Sequence, residues 1–159
     1  MKTMRLLAVL GCFIAAPLVL AADFAVLDPA GAAKIVNPAS YDRPTIVALW
    51  SSDCVHCKKN LALFSEIARA YPQLRIVTVA VEPAAPQLAE PLDRLAVPGA
   101  RYAYGDAAPE ALAYALDPKW RGELPRTLMF DGHGGKHAVS GVVAKSDALR
   151  SLGLATAGN

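Results

Sequence analysis

The residues able to do chemistry gather in one stretch, Trp50-Ser51-Ser52-Asp53-Cys54-Val55-His56-Cys57-Lys58-Lys59. Its Cys-x-x-Cys pair can form a disulfide, since the second cysteine lies one helical turn beyond the first. Such a pair attacks a substrate disulfide through Cys54 and resolves the mixed disulfide through Cys57. The attack needs a thiolate, and a helix N-terminus favours one through its unpaired N–H groups and partial positive charge. Cys54 is therefore expected to be the exposed cysteine with the lowered pKa. His56, between the two cysteines, can stabilise the Cys54 thiolate. Its alternative is a solvated side chain without catalytic duty.

The flanking residues supply that helix. The apolar run Thr45-Ile46-Val47-Ala48-Leu49-Trp50 predicts a buried strand. After the cysteines, Leu61, Phe64, Ile67 and Ala68 recur at helical spacing, predicting a helix from about Val55 to Ala70, closed by Tyr71-Pro72. A metal site is the other reading of two close cysteines. One pair supplies two ligands where structural zinc takes four, and His133 and His137 fall on a distant hairpin. Haem attachment requires histidine after the second cysteine, where this chain has Lys58. Two thiolates are soft enough to select Cu(I), but no Met-rich or His-rich companion motif accompanies them. No resident metal or cofactor is expected.

The N-terminus bears on the redox compartment. Met1 to Arg5 carries Lys2 and Arg5, Leu6 to Ala22 is apolar throughout, and within it Val19-Leu20-Ala21 supplies small or modest residues at the cleavage positions. Residues 1–21 are thus expected to be a secretory signal peptide, cut after Ala21 or Ala22. The alternative is a retained membrane anchor, since the run is nearly long enough to span. Lipoprotein processing at Cys12 would leave an apolar core of only about six residues, short of the usual ~7–15. This segment also inflates the 54% hydrophobic content. Without Lys2 and Arg5, the 16 basic residues become 14 against 14 acidic, a net charge of zero. That balance offers no nucleic-acid surface and no polybasic membrane patch. Cleavage leaves Cys54 and Cys57 as the only cysteines, which fits redox chemistry in a periplasmic or otherwise exported protein. A disulfide closing a four-residue loop adds little stability, so a purely structural staple is disfavoured.

The rest of residues 22–159 reads as one domain. Phe24 to Leu27 predicts a short edge strand, and Asp28-Pro29 a helix start. Residues 74–81 predict a second buried strand, parallel to the first because a helix crosses over between them. Residues 82–91 hold three prolines and read as loop or broken helix. A strand over 100–104 and a helix over 109–116 follow. Residues 127–130 and 136–143 form a hairpin around Asp131-Gly132, with Gly141 a bulge or bend, and a helix over 145–152 closes the chain. No internal repeat occurs.

This order resembles the thioredoxin fold, an α/β arrangement with a central mixed sheet flanked by helices. The likeness covers about residues 24–153. Trp50 stands four residues before the first cysteine, as in thioredoxins, and Leu124-Pro125 stands where the family has its cis-proline. Within the superfamily the chain looks most like the exported TlpA-like disulfide reductases, which have a short insert before the cis-proline strand. The resemblance implies a protein-disulfide reductase in which Pro125 faces the cysteines and the Leu124 backbone pairs with an extended substrate. Trp50 is expected mainly to pack beneath the site. The resemblance also implies protein substrates with thiols or disulfides, such as apocytochromes or metal-site cysteines, and a membrane-embedded thiol donor.

Several positions depart from the pattern. Asp53 replaces a tryptophan, Ala48 stands where thioredoxins bury an aspartate, Asn60 stands where several exported reductases carry a glutamate, and Ala62 replaces a helix proline. Val55-His56 resembles the Cys-Pro-His-Cys of the oxidising DsbA-like proteins and favours a dithiol oxidase instead. Only about 40 residues separate the second strand from Pro125, too few for the DsbA helical insertion. Glu82 ends a strand near the site. It reads as a solvent-facing carboxylate, with a proton relay to Cys57 as the alternative. Trp120, Tyr102, Tyr104 and Tyr114 read as core or groove residues.

Overall fold

A computed structural model describes residues 24–154. The expected signal segment and Cys12 lie outside the described residues. Two strands form the centre. β2 (Thr45–Trp50) is buried at every position, and β3 (Arg75–Pro83) is buried from Ile76 to Ala80. They run parallel in the register Ala48 to Thr78. The connection between them is α2 (Val55–Ala70), which covers one face with Leu61, Phe64 and Ile67. Burial of each such side chain stabilises the fold by about 1.5–3 kcal/mol.

The sheet extends from this βαβ unit in both directions. On one side β4 (Ala100–Tyr104) runs parallel to β3, and β1 (Ala25–Leu27) runs parallel to β4 at the edge. On the other side β5 (Arg126–Phe130) is antiparallel to β2, and β6 (Lys136–Ser140) is antiparallel to β5. The order is β1-β4-β3-β2-β5-β6, a mixed sheet with helices on both faces. α2, α3 (Ala89–Arg94) and α5 (Lys145–Ser151) contribute to one core, while α1 (Pro29–Ile35) and α4 (Pro109–Leu116) contribute to the other. Alternation along β2 sends Ile46, Ala48 and Trp50 to the α2 face and Val47 and Leu49 to the opposite one.

Sequence and structure differ mainly at element ends. β3 runs two residues further than expected, through Glu82 to Pro83, with a register shift against β4 between Ala80 and Pro83. The proline-rich stretch after it is a 3-10 turn over Pro86–Leu88 leading into α3, anchored by Leu88 and Leu92. β6 stops at Ser140 rather than near residue 143. There Gly141 adopts φ +90°, a conformation that side chains rarely take, and the chain bends away. No helix among the described residues is long and apolar enough to cross a membrane.

Candidate active site

β2 delivers the chain to the site at the C-terminal edge of the parallel strands. After Trp50 a turn closes when Cys54 N–H donates to the Ser51 carbonyl at 3.2 Å. Cys54 is then the N-cap of α2, with extended backbone (φ −83°, ψ 100°). Its Sγ accepts from the Cys57 N–H at 3.1 Å, and its carbonyl accepts the first helical bond from Lys58. A sulfur in this place receives a backbone donor and the positive end of a 16-residue helix, the setting that favours a thiolate. Cys54 and Cys57 are disulfide-bonded, with Cα atoms 5.2 Å apart. Cys54 is partly exposed, whereas Cys57 retains only 1% exposure. An incoming sulfur therefore meets Cys54 first.

The remaining expected residues fall unequally around this pair. The Leu124–Pro125 peptide bond is cis. Pro125 is buried and its carbonyl accepts from the Gly141 N–H at 2.9 Å, so the bend after β6 is tied to the start of β5. Leu124 is half-buried and packs against both cores. Trp50 is 1% exposed and lies in the same core as Cys57, and its Nε1 has no hydrogen-bond partner among the described residues. His56 and Asp53 are exposed. His133 and His137 sit on the β5–β6 hairpin region, as the spacing predicted.

Glu82 corrects the expectation of a solvent-facing carboxylate. It is half-buried, accepting from the Ser52 N–H through Oε1 and from the Ser52 hydroxyl through Oε2 at 3.0 Å. The end of β3 thus holds the loop two residues before Cys54. Asn60 is a second tether that the sequence left unexplained. Its amide donates to the Gly141 carbonyl and accepts from the Val143 N–H, both at 3.0 Å. A readable signal existed, because Asn60 lies three residues after Cys57 and four before Phe64 and so shares the inner face of α2.

Beneath the site, Ala48 lies between Thr78 on β3 and Thr127 on β5 in register. All three are buried, and neither threonine hydroxyl has a hydrogen-bond partner among the described residues. Asp117 and Arg126 form a further pair that sequence spacing did not disclose. Arg126 Nε donates to Asp117 Oδ2 at 3.1 Å and its Nη1 to the Ser140 hydroxyl at 2.9 Å. Ser140 in turn donates to Glu123, whose carbonyl accepts from the Trp120 indole at 2.7 Å. This network fixes the chain on both sides of Leu124-Pro125.

No protein-family model matches the chain, and no curated protein matches it in sequence. Solved structures do match. A secreted Mycobacterium tuberculosis disulfide oxidoreductase homologous to E. coli DsbE aligns with a TM-score of 0.57 at 13% identity, covering 71% of this chain and 82% of that one. A thioredoxin-related protein from Neisseria meningitidis serogroup B gives 0.54 at 21% identity, covering 70% and 83%. StoA from Bacillus subtilis gives 0.51 at 19%, covering 70% and 82%. With the sheet order and helices described above, these likenesses define the class: the molecule has a thioredoxin-like fold. Within that fold it carries its Cys-x-x-Cys disulfide at the start of the helix following the central strand β2.

Proposed function

We propose that the protein is an exported thiol–disulfide oxidoreductase that reduces disulfides of other exported proteins. The observation that carries the proposal is the asymmetry of the cystine. A partly exposed Cys54 caps α2 with a backbone donor on its sulfur, and a buried Cys57 stands behind it. In the reduced protein the Cys54 thiolate attacks one sulfur of a substrate disulfide. A mixed disulfide forms and the other substrate sulfur leaves as a thiolate. Cys57, deprotonated, then attacks Cys54 Sγ and releases the second substrate thiolate. The pair ends oxidised, and two electrons have passed to the substrate. Leu124 and Pro125 hold the extended substrate chain beside Cys54, Trp50 supports the site by packing, and His56 tunes the thiolate. Residues 1–21 act as the export signal, and a membrane-embedded thiol donor returns the electrons. The reductive direction is supported by the resemblance to TlpA-like reductases.

A second direction has its own support. The N-cap position of Cys54 and the neighbouring His56 both stabilise a thiolate, and a stabilised reduced form makes an oxidant. Equilibration with glutathione or dithiothreitol separates the two. A potential near roughly −270 mV fits the reductase, and one near roughly −120 mV means disulfide insertion. The exchange function itself is tested by trapping. Cys57→Ser is expected to accumulate a mixed disulfide with a substrate through Cys54, and Cys54→Ser to trap nothing. A Cys54→Ser protein that still reduced a model disulfide would overturn the assignment of the nucleophile.

A further inference from the structure

A pocket of about 410 Å³ opens between α1 and the first residues of β3 and β4. Its size lies within the ~300–1,000 Å³ of ligand clefts. Arg75 and Val77 share one face of β3 by alternation, and Ala100 and Tyr102 share that of β4. α1 faces them with Lys34 and Ile35. β3 begins at this pocket and ends beside Glu82, which holds the cysteine loop. Pocket and cystine therefore lie towards opposite ends of one strand.

The lining holds two cations, Lys34 and Arg75, and no carboxylate. Neither cation forms an ion pair among the described residues, whereas Arg101, Arg126 and Lys145 each do. Asp28, which lies beside Gly31 of the lining, is turned to the Gly31 N–H that it caps at 2.6 Å. The phenol of Tyr41 supplies no counter-charge either. It donates to the Ile35 carbonyl at 2.6 Å, and burial pushes it up to about 12 against the opposing pull of Arg75, so it stays neutral. Arg75 is also held in place. Its guanidinium lies over the Tyr41 ring, 5.9 Å from the centroid, and the residue is half-buried. A guanidinium fixed in a wall loses less freedom on gripping an oxyanion than a free surface side chain does. Lys34 is exposed, so solvent reaches both cations.

We propose that this pocket binds a small organic oxyanion. Its carboxylate or phosphate head takes charge-assisted hydrogen bonds from Arg75 and Lys34. The head alone would leave most of the volume empty, and the rest of the lining is apolar at Ile35, Val77 and Ala100, where a short apolar body packs. The site is separate from the cystine, and the inference does not rest on the exchange function.

Four probes test the site by calorimetry and by amide shifts in NMR spectra of the oxidised protein. Butyl phosphate and pentanoate carry one butyl body on the two heads, 1-butanol carries it without charge, and inorganic phosphate carries charge without the body. At least one organic anion is expected to bind saturably, to shift the amides of Lys34, Val77 and Ala100, and to bind about tenfold more tightly than 1-butanol or inorganic phosphate. The tighter of the two identifies the head. Lys34→Gln, which keeps the length of an exposed side chain, should weaken that binding about tenfold, and Arg75→Gln at least as much. Lys119→Gln, an equal charge change beyond α4, should bind as the parent does. The site is overturned if neither organic anion binds saturably, or if 1-butanol or inorganic phosphate binds as tightly. It is equally overturned if Lys34→Gln binds undiminished, or if Lys119→Gln weakens binding as much as Lys34→Gln.

Discussion

At the scale of single residues, the site depends on two side chains that do not react. Glu82 places both carboxylate oxygens on Ser52 and so fixes the turn that presents Cys54. Glu82→Ala leaves the Ser52 N–H without its acceptor, a loss worth about 1–3 kcal/mol. The variant is expected to lower the second-order rate constant with 2-hydroxyethyl disulfide by about three- to tenfold, through a less fixed nucleophile. Glu82→Gln keeps one side-chain oxygen for that N–H and should recover most of the rate. Unchanged kinetics in both variants would show that Ser52 does not hold the loop. Asn60 does comparable work behind Cys57, joining α2 to the bend at Gly141 and Val143. Its role was hidden in the sequence, because its partners are backbone groups 81 and 83 residues away. The apolar neighbours of Asn60 told only which way the residue faces.

At the scale of elements, the approach to β5 is stabilised by charge inside the fold. Asp117, at the end of α4, pairs with Arg126, at the start of β5, and both side chains are largely buried. Burial alone would push the Asp117 carboxyl up. The hydrogen bonds and charge of Arg126 and the Lys119 N–H outweigh it and hold the group below its usual 3.8. A carboxyl with a depressed folded pKa stabilises the fold fully above its unfolded pKa, and the contribution is lost as pH falls through the folded value. Urea midpoints should therefore fall between about pH 5 and pH 3, and Asp117→Asn should flatten that slope while lowering stability at pH 7. An unchanged slope in Asp117→Asn would assign the acid sensitivity to other carboxylates. The elements themselves were legible where periodicity was strong. β2 and α2 fall where apolar runs and helical spacing placed them, and Asp28 caps α1 before Pro29 as expected. Their ends were less legible. β3 continues through Pro83 because it lies beside β4 at the register shift, a tertiary circumstance that no local propensity encodes.

At the scale of the whole molecule, redox state and stability are linked. A pair poised to reduce its substrates is one whose disulfide is favoured by the folded state. Oxidised protein is then expected to unfold at a higher denaturant concentration than protein held reduced by dithiothreitol. The reverse order would place the protein among oxidants, whose reduced form is the more stable. The global arrangement could be read from the chain because the βαβ unit, the hairpin and the closing helix each leave a local signature. The Asp117–Arg126 network and the pocket beside α1 could not. They arise only when loop, helix and strand meet.

The two margins of the sheet bear on how the protein meets other chains. β1 contributes only three residues at one margin, and β6 five at the other, where Lys136 and His137 are exposed. Short or charged margins discourage the strand-by-strand growth that turns open sheets into aggregates. Under the exchange function proposed above, contact with extended polypeptide substrates would bring candidates for such growth to the sheet. The short, charged margins give such chains few rungs to climb.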